Sequence, residues 1–168
     1  MEPIDFAMLV LRVGIGLVIL AHGVNHARSL DGTASWFESV GFKNAGLQAS
    51  MSALVEIGVG ILLVIGLLTP LASAGLVATM FVAFWAIHRH NGFFIFRPGE
   101  GWEYVSTLAL AGLAVGIAGA GRASVDHALG LADDLNGWIG FLIVVAGVAA
   151  AGGQLAMFWR KPVATLSG

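Results

Sequence analysis

His22 and His26 stand four residues apart, a spacing that puts both imidazoles on one face of a helix. Imidazole titrates near neutral pH and ligates metals, so the pair suits proton handling or half of a metal site. Glu56 heads an otherwise uncharged stretch, residues 57–88, that ends at His88 and Arg89, and Asn91 and Glu103 follow within a short distance. Arg12 falls inside the first apolar run. A charged side chain at the centre of a bilayer costs about 2.5–3.5 kcal/mol on insertion scales, so such residues face a bundle interior and mark function. His22, Glu56, His88, Asn91 and Glu103 are therefore the candidate residues of a polar cavity. Arg12 and Glu56 are also candidates for a structural ion pair that fixes helix register.

Each of these residues has a plainer reading. His22 and His88 suit a membrane boundary with a solvated edge, His26 and His90 suit a loop, and Glu103 complements the positive N-terminus of a following helix. A metal or haem site would draw on His22, His26 and His88. No Glu-x-x-His pair repeats, however, and no metal is expected. Nothing resembles a Ser-His-Asp arrangement, a phosphate loop or a dinucleotide fingerprint, and no catalytic residue is assigned.

These side chains need a scaffold, and the composition supplies one. Of 168 residues 58% are apolar and 11% charged, against roughly 25% charged in soluble domains, so the chain cannot cover a water-facing surface. The net charge of −2 gives no basic footprint for nucleic acid. No cysteine is present, which removes disulfides, thiolate metal sites and cluster ligation within the chain. The acidic Glu2 and Asp5 in place of a basic leader make the first apolar run a retained helix rather than a signal peptide.

A bilayer core of roughly 30 Å needs about 20 apolar residues per helix. Five runs fit, near residues 4–24, 47–68, 71–88, 102–120 and 135–159, and Thr69-Pro70 splits the second from the third into a tight antiparallel hairpin. The aromatic and charged residues of 29–46 suit a short interfacial helix. Those of 88–104 suit the membrane boundary. Residues 119–136 read as a turn followed by a short amphipathic piece, and Gly112-x-x-x-Gly116 as a helix contact. Five spans put the termini on opposite sides. The topology gathers His22, His26, Glu56, His88, Asn91 and Glu103 toward one half of the bilayer. Arg28, Lys43, Arg89, Arg97, Arg160 and Lys161 share that side, which makes it, and the C-terminus, cytoplasmic.

In order, these motifs resemble the DoxX family of bacterial membrane proteins. The resemblance rests on Arg12-Val13-Gly14, Leu20-Ala21-His22-Gly23, Phe37-Glu38-Ser39-Val40-Gly41-Phe42 and Leu54-Val55-Glu56-Ile57-Gly58-Val59-Gly60. It continues through Ile65-Gly66-Leu67-Leu68-Thr69-Pro70, Asn91-Gly92-Phe93-Phe94, Gly101-Trp102-Glu103-Tyr104 and Gly119-Ala120-Gly121-Arg122-Ala123-Ser124-Val125-Asp126, covering residues 8–130. It implies an all-α, four-helix transmembrane bundle over residues 1–134, to which residues 135–168 add a further span and a basic tail. It also implies residence in the bacterial plasma (inner) membrane and a link to quinone-dependent sulfur-redox or oxidative-stress assemblies. Three functions remain open: a membrane subunit that anchors redox partners or offers them a quinone pocket, a transporter of protons or a small solute, and a structural anchor. The expected partners are the lipid bilayer, protein subunits of such an assembly and further copies of the chain, with no nucleic acid.

Overall fold

A computed structural model describes residues 2–162 as an all-α bundle. Residues 1 and 163–168, the ends of the two expected segments, lie outside the described residues. Helix α1 spans Pro3–Arg28, α2 Leu30–Ser39, α3 Ala45–Ile65 and α4 Thr69–Ala83, which runs on through a π-helical turn at Phe84–His88. Helix α5 spans Glu103–Ala118, and α6 (Val125–Ala128) and α7 (Ala132–Leu135) are single turns before α8, Trp138–Phe158.

Four of these elements, α1, α3, α4 with its π-turn, and α8, are long and apolar enough to cross a membrane. The fifth expected span is shorter: α5 has 16 residues, about 24 Å at 1.5 Å per residue. It nevertheless traverses the bundle. Tyr104 in its first turn meets His22 near the end of α1, and Ala120 just beyond its last residue meets Arg12 near the beginning of α1.

Local chemistry explains the boundaries. α3 stops at Gly66 in the left-handed conformation (φ +70°), the amide of Gly66 bonds back to the Leu62 carbonyl, and Pro70 opens α4. Proline suits a first helical turn, whose amides lack intrahelical partners, so the hairpin expected at Thr69-Pro70 forms. α1 and α3 pack through small residues: a Cβ on Gly60 would stand 2.6 Å from Leu20 Cβ, and one on Gly23 2.7 Å from the Ile57 amide nitrogen. Side chains there would push the helices apart. Gly112 and Gly116 do the same work on α5, against Leu76 of α4 and Val144 of α8.

The core joins Ile15 and Ile19 of α1, Val59 and Leu63 of α3, Leu76 and Met80 of α4 and Leu108 and Val115 of α5, with Ala74, Val77 and Val144 extending it to α8. α8 is further fastened at its end. The Phe158 carbonyl accepts from the Lys43 amide (2.7 Å), the Arg160 amide donates to Gly41 O (2.9 Å), and Trp159 Nε1 donates to Val40 O (2.8 Å). The segment following α2 is thus tied to the opposite end of the chain.

Candidate functional site

Charge is buried at two levels. Near the start of the chain Arg12, 1% exposed, donates Nε to Ala120 O (3.1 Å), Nη1 to Leu63 O (2.9 Å) and Val64 O (2.6 Å), and Nη2 to Ala123 O. The first of these acceptors sits beyond α5, the next two end α3, and the last lies in the loop over them. Because Gly66 stops α3, its last carbonyls have no amide a turn ahead, and a guanidinium at that negative pole is doubly favourable. Asp126, also buried, accepts from the Leu68 amide at Oδ1 (2.7 Å) and the Thr69 amide at Oδ2 (2.9 Å). It thereby caps α4 at its positive pole. Asp5 Oδ1 holds the same loop through the Arg122 amide, 3.0 Å away.

The second level is built differently. Glu56, 3% exposed, accepts from Ser52 Oγ at 2.6 Å through Oε1. The two residues lie one helical turn apart on α3. His26 Nδ1 stands 3.4 Å from the same oxygen, in ionic reach but without hydrogen-bond alignment, and Glu56 Oε2 is buried with no partner among the described residues. His22, one turn before His26, has Nε2 3.0 Å from the Tyr104 hydroxyl, with the rings 5.7 Å apart.

These groups line a cavity of about 480 Å³, within the roughly 300–1,000 Å³ usual for small-molecule sites. Ile19, Met80, Ala83, Ile87 and Val105 form its apolar wall, Trp36 of α2 one flank, and Ile95, Gly99 and Glu100 of the loop before α5 its rim. His88 also lines it, its Nδ1 2.7 Å from Glu100 O. The π-turn at Phe84–His88 widens α4 beside this cavity, as the Arg89 amide bonds to Phe84 O (2.9 Å). Such turns recur at functional sites because they re-aim side chains out of helical register.

Of the expected cluster, the structure brings His22, Glu56 and His88 together around this cavity. Asn91 and Glu103 it turns aside. Asn91 Nδ2 donates to the carbonyls of Ile87 (3.3 Å), Gly99 and Glu100 (3.4 Å), and Glu103 Oε2 accepts from the Ile95 amide (3.2 Å). Both fold the loop that rims the cavity. The expected Arg12–Glu56 pair is not formed. Gly23, eleven residues beyond Arg12 in α1, packs at Glu56 Cβ, so the two charges sit about 16 Å apart along the helix. Among the described residues no group of three or more His, Cys, Asp or Glu is placed to hold a metal, and His22, His26 and His88 do not converge as ligands.

Two members of the site, His26 and Tyr104, stand outside the five expected cavity residues. The sequence allows His26 a place on the helix face of His22 or in a loop, and α1 continues to Arg28, which puts His26 on the helix. Its four-residue spacing from His22 was the available signal. Tyr104, the chain's one tyrosine, was noted only as part of a motif.

A family model described as DoxX matches residues 7–89, a stretch that carries Arg12, His22, His26, Glu56 and His88 and ends before the remaining third of the resemblance. No curated protein and no solved structure matches the chain.

Proposed function

We propose that this multi-pass membrane protein, which belongs to the DoxX family through residues 7–89, is a subunit of a redox assembly and holds a quinone headgroup in the Glu56 cavity. The observation that carries this reading is the buried carboxylate oxygen Glu56 Oε2, which has no partner among the described residues and lies beside a cavity with an apolar wall. An unpaired buried acceptor costs about 1–3 kcal/mol, and a ligand hydroxyl would offset that cost. A quinone supplies two-electron, two-proton chemistry on a lipid-soluble ring. Glu56 would hold and transfer one of the protons, with Ser52 and His26 steadying its charge. His22 and Tyr104, bonded to each other, present a second polar edge, and Trp36 flanks the ring space.

With no cysteine in the chain, electrons would reach the site from the redox group of a partner subunit. The chain's share is to bind, orient and exchange protons. Transport is less well supported, because Arg12 and the loop over it fill the bundle at the opposite level. In the proposed setting, the bacterial inner membrane, the C-terminus and the ends of α1, α4 and α8 face the cytoplasm, where Arg28, Lys43, Arg89, Arg97, Arg160 and Lys161 gather. A C-terminal reporter active only in the periplasm would refute that orientation.

Quinones quench indole emission on contact, so a short-chain ubiquinone or menaquinone analogue titrated into the chain in nanodiscs should quench Trp36. The variant Trp36→Phe should lose most of the saturable part. Glu56→Gln should weaken the reduced quinol analogue, whose hydroxyl donates to the carboxylate, as a competitor of this quenching by on the order of tenfold, the worth of one charge-assisted hydrogen bond. Saturable quenching that is absent in the wild type or unchanged in Trp36→Phe, or quinol competition unchanged in Glu56→Gln, would leave the structural-anchor reading in its place.

A further inference from the structure

Helix α4 and its π-turn have a second face, turned away from the Glu56 cavity. There Phe81 and Trp85 oppose Gly152, Leu155 and Trp159 across a groove of about 430 Å³. The groove is apolar along its length and cationic at its rim, where α4 and α8 both end. Arg160 lines it and is fixed by two bonds from Nη1, to Ala156 O (2.8 Å) and Trp159 O (2.7 Å). Arg89 places its guanidinium carbon 4.4 Å from the centre of the Trp85 ring and 5.5 Å from that of Trp159.

The two indoles hold the Arg89 cation without neutralising it. Among the described residues its buried Nε has no hydrogen-bond partner, and the one close acid–base contact is His26 with Glu56, on the other face of α4. An orphaned donor on a fixed cation is costly to bury and is satisfied best by an anionic oxygen. An anion alone would leave the groove beneath it unfilled. An amphiphile with an anionic head and a hydrocarbon chain matches both parts at once, at the depth where helices end and headgroups lie.

We propose that this groove binds an anionic glycerophospholipid, with its phosphate on Arg89 and Arg160 and one acyl chain along Phe81, Leu155 and Gly152. The site is separate from the Glu56 cavity and independent of any quinone. It would explain why two arginines and two tryptophans converge where α8 is fastened to the bundle.

The test uses the full chain in phosphatidylcholine nanodiscs, with phosphatidylglycerol or phosphatidylcholine carrying brominated acyl chains, which quench indoles on contact. Brominated phosphatidylglycerol should quench at a mole fraction on the order of tenfold lower than brominated phosphatidylcholine, as two headgroup-level arginines imply. Arg89→Gln and Arg160→Gln should each remove most of that preference. Gly152→Phe should block the chain's path and reduce quenching by both lipids; a Cβ there meets nothing within 4 Å, so an unchanged thermal melt would show the fold intact. Arg97→Gln is the control, since Arg97 stacks on Phe94 outside the groove. The proposal is overturned by equal quenching from the two lipids, by an equal loss in Arg97→Gln, by undiminished quenching in Gly152→Phe, or by displacement of the lipid with millimolar inorganic phosphate.

Discussion

At the level of Arg12, the buried charges are met by hydrogen-bond partners. One guanidinium serves four carbonyls, Asp126 serves two amides, and the helix ends that supplied those groups are closed by them. At the level of Glu56, one carboxylate oxygen is held by Ser52 and the other by no partner among the described residues. Burial is almost the same, at 1% and 3% exposure, so depth does not separate the two residues. The difference lies in whether the protein completes the hydrogen bonding. Where it does, the charge is part of the fold. Where it does not, as at Glu56, the carboxylate can still accept a further hydrogen bond.

Substitutions that keep size and remove charge should separate the two levels most strongly. Arg12→Gln cannot span four acceptors, and removing one side of a buried charged arrangement costs about 3–5 kcal/mol. A large drop in melting temperature in detergent, with reduced folded yield, is expected. Glu56→Gln keeps an oxygen for Ser52 and discards an incompletely solvated charge, so its effect on stability should stay below about 1 kcal/mol. If both variants melt alike, the contrast between the levels fails.

Gly66→Ala comes next. Its φ of +70° is unfavourable for alanine, and the new Cβ would stand 2.6 Å from Ser124 Cβ and 2.9 Å from Arg12 Cζ. Backbone strain of this kind costs about 1–3 kcal/mol, here with displacement of the guanidinium in addition. Asp126→Asn retains one acceptor for the two amides of α4 and loses its attraction to Arg12, for about 1–2 kcal/mol. Thermal melts of the two variants should fall between those of Arg12→Gln and wild type. A melt of Asp126→Asn as low as that of Arg12→Gln would mean that the carboxylate, rather than the carbonyls, holds Arg12.

The sequence revealed these elements because a bilayer imposes few rules. Long apolar runs must be helices, Pro70 must start one, and Arg12 and Glu56 must face inward. It did not reveal the partners of Arg12, because they are main-chain carbonyls of Leu63, Val64, Ala120 and Ala123, released by the stop at Gly66 and the turn after α5. A carbonyl carries no signature in the residue type, and the visible opposite charge, Glu56, was the natural but mistaken choice. Depth could be read for His22, Glu56 and His88, which topology brings to one level. Direction could not be read for Asn91 and Glu103, whose side chains are claimed by loop amides and carbonyls a few residues away.

The smallest expected effect sharpens the open level. Asn91 bridges the end of the π-turn to the carbonyls of Gly99 and Glu100, the latter already 2.7 Å from His88 Nδ1, and Gly99 and Glu100 form part of the cavity rim. Asn91→Ala removes those donors from a partly exposed loop that buries little apolar core, so global stability should change by no more than about 0.5–1 kcal/mol. The local effect should be larger. The amides of Trp102 and Glu103, bonded to Gly92 O (3.0 Å) and Phe93 O (2.8 Å), should exchange hydrogen faster while those of α3 and α4 remain protected. If the rim governs entry to the Glu56 cavity, the same variant should speed both binding and release of a short-chain quinone with little change in affinity. Faster exchange with unaltered quinone kinetics would make the loop a boundary anchor only, and slowed binding would show that the rim helps to shape the site.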